Sequence, residues 1–306
     1  MSHPPRPDLL TRFLLEEAGV RGVHVRLDAT WEQIRCRADY PAGVAAQLGE
    51  AAAAAALFTG HVKVEGRLSV QLRGGGALRT LFAECTGAGT LRGIARLAEG
   101  HEGEGENGDT HTLRDLGPDA VMAITVENPG ARGQEPVRYQ GLVSLEADRL
   151  SDAFEGYFRQ SEQLPTRLLL AADSDRAVGL MLQKLPGDSG DADGWQRASL
   201  LFDTLATAEL LETPADLLLH RLFHEDGVRL LGEKPLRFAC SCSRERVSAV
   251  LESLGEAESR AAAAGNGGQV EVHCEFCGQA YRYTADDIDT LFAPLPSRHA
   301  TPDRLQ

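Results

Sequence analysis

Two close cysteine pairs stand in the last third of the chain, Cys240-Ser241-Cys242 and Cys274-Glu275-Phe276-Cys277. Each pair can clamp one edge of the tetrahedron that zinc requires, with sulfurs about 2.3 Å from the metal. The segment between them must therefore fold back until the pairs meet. A module of about 50 residues has little core of its own to hold that shape without a metal. The second pair, followed by Gly278, is a common zinc knuckle. The first, Cys-x-Cys, is tighter than most structural zinc modules use.

Cys240, Cys242, Cys274 and Cys277 are thus the candidate ligands of one zinc ion per chain. Taken alone they fit a permanent structural site best, because closed four-thiolate sites are mostly structural. A thiol–disulfide oxidoreductase would place Cys-x-x-Cys at a helix N-terminus beside a βαβ unit. Here Gly278 and a strand-like Tyr281 to Tyr283 follow instead. A nucleic-acid zinc ribbon conflicts with a net charge of -14 and with the lack of an aromatic-basic face. His273 adjoins Cys274, but four sulfurs already complete the shell. No nucleophile, base and orienting group stand together, so neither catalytic residues nor enzyme activity are expected.

Met1 to Val20 holds no apolar signal-peptide region, and the most apolar stretch, Ala51 to Phe58, is too short to span a bilayer. The expectation is a cytoplasmic protein with reduced thiols, so the six cysteines are not a secreted disulfide framework. Cys85 ends an apolar strand and reads as a buried small hydrophobe. Cys36, between Arg35 and Arg37, reads as a bystander.

The pattern predicts an α+β fold. Asp8 caps a helix through Glu17, with Leu9, Leu10, Phe13 and Leu14 at helical spacing. Val23 to Leu27 is a strand, and Pro41 to Leu57 an Ala-rich helix buried on one side. Arg67 to Leu72 and Leu78 to Cys85 form a hairpin through Gly74-Gly75-Gly76. That triplet lacks the Lys-Ser/Thr and the helix of a phosphate loop. Leu91 to Ala95, Val121 to Val126 and Val137 to Leu145 are further strands. Glu99 to Thr110, with His101 in it and His111 after it, is a Gly- and acid-rich loop. Ser151 to Phe158, Gly194 to Leu211 and Pro214 to Phe223 are helices. The last carries an apolar arc, Leu217, Leu218, Leu219, Leu222 and Phe223, wide enough to demand cover. Ser243 caps a helix ended by Gly255. Val270 and Val272 lead into the knuckle, and Tyr281 and Tyr283 lead out. Thr284 with Asp287 makes a capping box for a final helix.

Phe238-Ala239-Cys240-Ser241-Cys242-Ser243-Arg244-Glu245-Arg246 and Val272-His273-Cys274-Glu275-Phe276-Cys277-Gly278 closely resemble the heat shock protein 33 family of redox-switched holdase chaperones. So do the stretch Tyr157-Phe158-Arg159-Gln160-Ser161-Glu162-Gln163-Leu164-Pro165-Thr166, Tyr139-Gln140-Gly141, Gly179-Leu180-Met181-Leu182-Gln183 and Arg21-Gly22. The resemblance covers nearly the whole chain. Ala77, the long acidic loop and the low-complexity stretch from Ala261 to Gly268 depart from the family pattern.

The resemblance implies a chaperone core over residues 1–185, a helical, metastable linker over 186–236, a four-cysteine zinc redox-switch domain over 237–293 and a flexible tail over 294–306. It implies Cys240–Cys242 and Cys274–Cys277 as redox-active disulfides whose formation expels the zinc. Thiolates are the species that oxidants attack, and Arg237, Arg244 and Arg246 beside the first pair favour that form. The implied partners are unfolded or partly folded clients and, when oxidised, a second copy of the chain, with neither nucleic acid nor membrane. A constitutive structural-zinc interaction protein without switching is the alternative.

Overall fold

The computed structural model describes residues 7–62, 64–100, 113–130, 134–187, 189–265 and 267–293. The chain divides into two compact units, Met1–Cys240 and Ser241–Gln306. The first begins with β1 (Leu9–Leu15), β2 (Val20–Leu27), α1 (Ala29–Arg35) and α2 (Ala42–His61). It continues through β3 (Arg67–Arg73), β4 (Leu78–Thr86), β5 (Thr90–Leu97), β6 (Val121–Asn128) and β7 (Val137–Ser144). Then come α3 (Leu150–Ser161), β8 (Thr166–Ala172) and β9 (Ala177–Lys184). Helices α4 (Gly194–Phe202), α5 (Thr207–Glu212) and α6 (Ala215–Phe223) precede β10 (Val228–Pro235) and β11 (Arg237–Phe238). The second unit holds α7 (Arg244–Leu254), α8 (Glu256–Gly265), β12 (Gln269–His273), β13 (Ala280–Thr284) and α9 (Ala285–Phe292).

The expected α+β architecture is present. One sheet has the order β10-β1-β2-β9-β8, a second β11-β5-β4-β3-β6-β7, and the second unit carries the β12-β13 hairpin. Pairing is antiparallel except for the short β11 beside β5. Helix α2 packs against strands of both larger sheets. It is buried all round rather than on one side, and Ala51 to Ala56 are all fully buried. Methyl-sized side chains over this run let the helix be enclosed on every side, between the larger Leu48, Leu57 and Phe58. Its apolar stretch runs the whole helix, which by length and composition could cross a membrane, yet 72% of it is buried inside the protein.

The first strand corrects the sequence reading. Residues 9–15 form β1, not a helix. β1 lies between β10 and β2 and is covered on both faces, with Leu10 in one core and Phe13 and Leu15 in another. Apolar residues at both parities mimic helical spacing. Asp8 does cap a helix, but a different one: its carboxylate accepts the backbone N–H groups of Asp28, Ala29 and Thr30 at the start of α1, at 2.6, 3.2 and 2.6 Å.

The glycine triplet is packing, not phosphate chemistry. A Cβ on Gly74 would lie 1.9 Å from the Leu116 carbonyl oxygen, and Gly76 N–H donates to that oxygen at 2.9 Å. The acidic loop beyond Gly100, with His101 and His111, and the tail after residue 293 lie outside the described residues.

The segment expected as one helix over Gly194 to Leu211 breaks at Asp203 into α4 and α5. With α6 these helices bury Ala198, Phe202, Leu210, Leu218, Leu219 and Phe223 against Phe13, Leu15, Leu180 and Leu182 of the first sheet. Leu217, at the rim of the predicted arc, remains 47% exposed. Polar ties fix the segment. Arg26 and Arg176 both donate to the Leu211 carbonyl oxygen, at 2.9 and 3.3 Å. Arg197 of α4 donates to the fully buried Asp226 through Nε at 2.8 Å and Nη2 at 2.6 Å.

Candidate metal centre

The residues around each cysteine pair fold for local reasons. Ser243 Oγ accepts the Arg246 backbone N–H at 3.3 Å, which starts α7 directly after the first pair. Gly255, at φ 95°, ends the helix. Val270 and Val272 bring β12 to the second pair, and Gly278 at φ 71° turns the chain into β13. Within the turn Gly278 N–H donates to the Cys274 oxygen at 2.7 Å, and Cys274 N–H to the Gln279 oxygen at 2.9 Å. The predicted capping box is present: Thr284 Oγ1 accepts from Asp287 N–H, and the Asp287 carboxylate accepts from Thr284 N–H.

This folding brings all four predicted ligands together. The sulfurs of Cys240, Cys242, Cys274 and Cys277 lie within 4.8 Å of one another, and all four residues are half-buried. Cys242 Sγ is 3.3 Å from Cys277 Sγ. Sulfurs about 2.3 Å from a shared tetrahedral ion stand about 3.8 Å apart. The cluster brackets that separation, so the donor set fits a metal that prefers thiolate.

Outer groups orient the sulfurs. Tyr281 O–H donates to Cys242 Sγ at 3.1 Å, and this bond, with desolvation second, holds the phenol above its ordinary pKa. Arg92 of β5 bonds to Cys240. Burial works against its guanidinium charge, but Glu84, 2.9 Å from Nε, and Cys240 outweigh burial and raise its pKa. Neither Tyr281 nor Arg92 was assigned this role from sequence. A tyrosine two strand positions from a knuckle carries a weak signal, and an arginine in a distant strand carries none.

Arg244 and Arg246, expected to favour the thiolates, bind other groups. Arg246 donates to Ser241 O and Oγ at 2.8 and 2.7 Å. Arg244 lies over the Tyr283 ring, 4.3 Å from its centroid, and donates to Arg282 O. His273 pairs with Glu271 at 3.0 Å. Cys85 is buried beside Thr59, and desolvation pushes its thiol up to about 11. Cys36 is exposed and outside the cluster.

Comparison with known proteins decides the family. Residues 8–284 match the Hsp33 protein family model. The chain belongs to the Hsp33 family. It is 42% identical over 303 residues to the 33 kDa chaperonin of Ectopseudomonas mendocina, covering 95% of this chain and 99% of that one. It is also 42% identical over 298 residues to the 33 kDa chaperonin of Nitrosococcus oceani, with 95% and 99% covered. Its fold is similar to the crystal structure of the 33 kDa chaperonin of Thermotoga maritima, with TM-score 0.77 and 21% identity over 94% of this chain and 98% of that one. As a member of the Hsp33 family the protein is a chaperone rather than an enzyme, and redox regulation is the family's general mode.

The Hsp33-like motifs outside the cysteines meet in the first unit. Arg21 Nε donates to Gln183 Oε1 at 3.1 Å, and Gln183 Nε2 donates to Glu162 and Thr166 at 3.2 and 3.1 Å. His61 lies 3.5 Å from Glu162. Gly141 passes beneath Tyr157, where a Cβ would stand 2.5 Å from the ring. These motifs hold the core together; Ser161 and Glu162 form no nucleophile–base pair.

Proposed function

We propose that Cys240, Cys242, Cys274 and Cys277 hold one zinc ion in the reduced chain, and that oxidation to Cys240–Cys242 and Cys274–Cys277 disulfides switches the chaperone on. The convergence of the four sulfurs within 4.8 Å carries this reading. Zinc bound there supplies folding energy, roughly 10–16 kcal/mol apparent in small modules, and keeps the sulfurs deprotonated. Each pair gives two electrons to a peroxide, which is reduced to water as the sulfur–sulfur bond forms. Neither disulfide leaves a thiolate to bind metal. The core then left to the module is Val247, Leu251, Ala263, Val270, Tyr283 and Ile288, too little to keep residues 237–293 folded.

Loss of that module loosens the 186–236 linker and uncovers the apolar face beneath α4 to α6, which binds unfolded or partly folded clients. The oxidised form is a homodimer, acts in the cytoplasm and engages neither nucleic acid nor membrane. Residues 1–185 remain the folded core throughout.

The test is light scattering of a thermally unfolding client with the protein either reduced and zinc-loaded or peroxide-oxidised at elevated temperature, with zinc release followed by a chromogenic chelator. Aggregation is suppressed only after oxidation, with about one zinc released per chain. Equal behaviour of the two forms would leave a constitutive structural-zinc protein. Cys277→Ser binds zinc more weakly and loses redox control; parent-like binding and response would refute the ligand assignment.

A further inference from the structure

Helix α6 ends in two histidines one turn apart. His220 lies in its last turn, and His224 is its C-cap. Both are exposed, and their ring centroids are 5.5 Å apart with the planes at 52°. Neither belongs to the thiolate cluster, the apolar core or the motifs that mark the family.

Imidazoles four residues apart on one helical face aim their nitrogens at a common point, the arrangement by which helices hold transition metals. Rings that share a tetrahedral ion at about 2.0–2.1 Å have centres roughly 5 Å apart. The observed separation of 5.5 Å is close to that value, although the ligand atoms of His220, His224 and Glu225 do not converge within 4.8 Å as the four sulfurs do, so ion binding must turn the exposed side chains together. A carboxylate is at hand, with Glu225 Oε1 3.9 Å from His224 Nε2. The nearest cation in sequence, Arg221, is paired with Glu209 at 3.0 Å, so it does not oppose a metal charge.

We propose that His220 and His224, with Glu225 as the neighbouring carboxylate, form a second metal site, specific for imidazole-preferring divalent ions such as Zn2+ and Ni2+ and independent of the four cysteines. Imidazole suits these ions, whereas Mg2+ and Ca2+ prefer oxygen. The site has a structural consequence. At His224 α6 gives way to a short 3-10 turn, and Gly227 at φ 67° then sends the chain into β10. An ion across His220 and His224 clips that junction and binds only its folded form, so it stabilises the folded segment by mass action. If α4 to α6 loosen on activation, as the proposed function requires, occupancy of this site resists the loosening.

The experiment titrates reduced, zinc-loaded protein with Ni2+ by calorimetry and measures zinc retention in the same samples. The expected result is one saturable Ni2+ per chain with zinc retained. His220→Gln and His224→Gln each weaken uptake at least tenfold, His273→Gln leaves it unchanged, and Mg2+ does not compete. Uptake by the two variants equal to the parent's, or uptake that tracks zinc loss, overturns the site. A second readout is limited proteolysis within α4 to α6. Ni2+ slows cleavage severalfold in the parent and not in His220→Gln; equal slowing in both removes the clip. Neither readout depends on client binding after oxidation, so failure here and failure of the switch are distinguishable.

Discussion

At the scale of single residues, groups outside the four cysteines orient their sulfurs. The Tyr281 hydroxyl donates a hydrogen bond to Cys242 Sγ, and outer partners of a metal ligand typically govern 10–100-fold in metal affinity. Tyr281→Phe keeps the ring and deletes the donor. The expected outcome is zinc affinity lowered about tenfold or more and faster peroxide-driven zinc release, read by chelator competition; parent-like values would remove Tyr281 from the switch.

His24 acts through burial. It is fully enclosed in β2, its Nε2 has no hydrogen-bond partner, and desolvation, with Arg26 second, lowers its pKa to about 4. The folded state therefore binds fewer protons than the unfolded chain. Stability is intact above the ordinary histidine pKa of about 6.5 and is lost as pH falls from there towards 4, by roughly 3 kcal/mol. Urea midpoints from pH 7 to 4 fall less steeply in His24→Leu than in the parent; parallel curves would mean that the imidazole is charged or hydrated in the native state.

At the scale of elements, helices α4 to α6 are short and held to the sheet by apolar packing and by polar ties from Arg26, Arg167, Arg176 and Arg197. Arg197→Ala leaves the buried Asp226 carboxylate without its partly exposed cation, and the cost falls below the ~3–5 kcal/mol of a fully buried pair because solvent reaches the arginine. The expected result is faster hydrogen exchange in α4 and α6 of the reduced protein, with partial suppression of client aggregation before oxidation. Unchanged exchange would show that apolar packing alone holds the helices. The elements also show what a single sequence carries. The α7 cap, the knuckle hairpin and the α9 capping box were legible because each depends on contacts a few residues apart. β1 misled because apolar clusters cover both its faces, one of them built from α4 to α6, and because one of its edge partners, β10, comes from the far end of the unit. The break at Asp203 lacks any Gly or Pro. α8 hides in an alanine-rich stretch read as low complexity. The convergence of the four cysteines was legible from spacing, whereas Arg92 meets Cys240 only through the tertiary fold.

At the scale of the whole molecule, the two units differ in what holds them. The first has two extended apolar clusters, while the second has one small cluster, Val247, Leu251, Ala263, Val270, Tyr283 and Ile288, with Val272, Tyr281, Leu291 and Phe292 packed partly buried against it. Stripping metal from the reduced protein is expected to erase hydrogen-exchange protection over residues 241–293 and to leave β2, β9 and α2 protected. Persistent protection of β12 and β13 in metal-free protein would show that the module folds unaided. The pairing of β1 with β10 has a consequence for how the chain is made. The strand that completes β1's second edge is more than 200 residues downstream. A ribosome adding about 5–20 residues per second leaves that edge uncovered for roughly ten to forty seconds. Its Leu- and Phe-rich sequence is then a template for mispairing with other nascent chains. During its own synthesis this protein is therefore a substrate for the kind of protection that it gives to others.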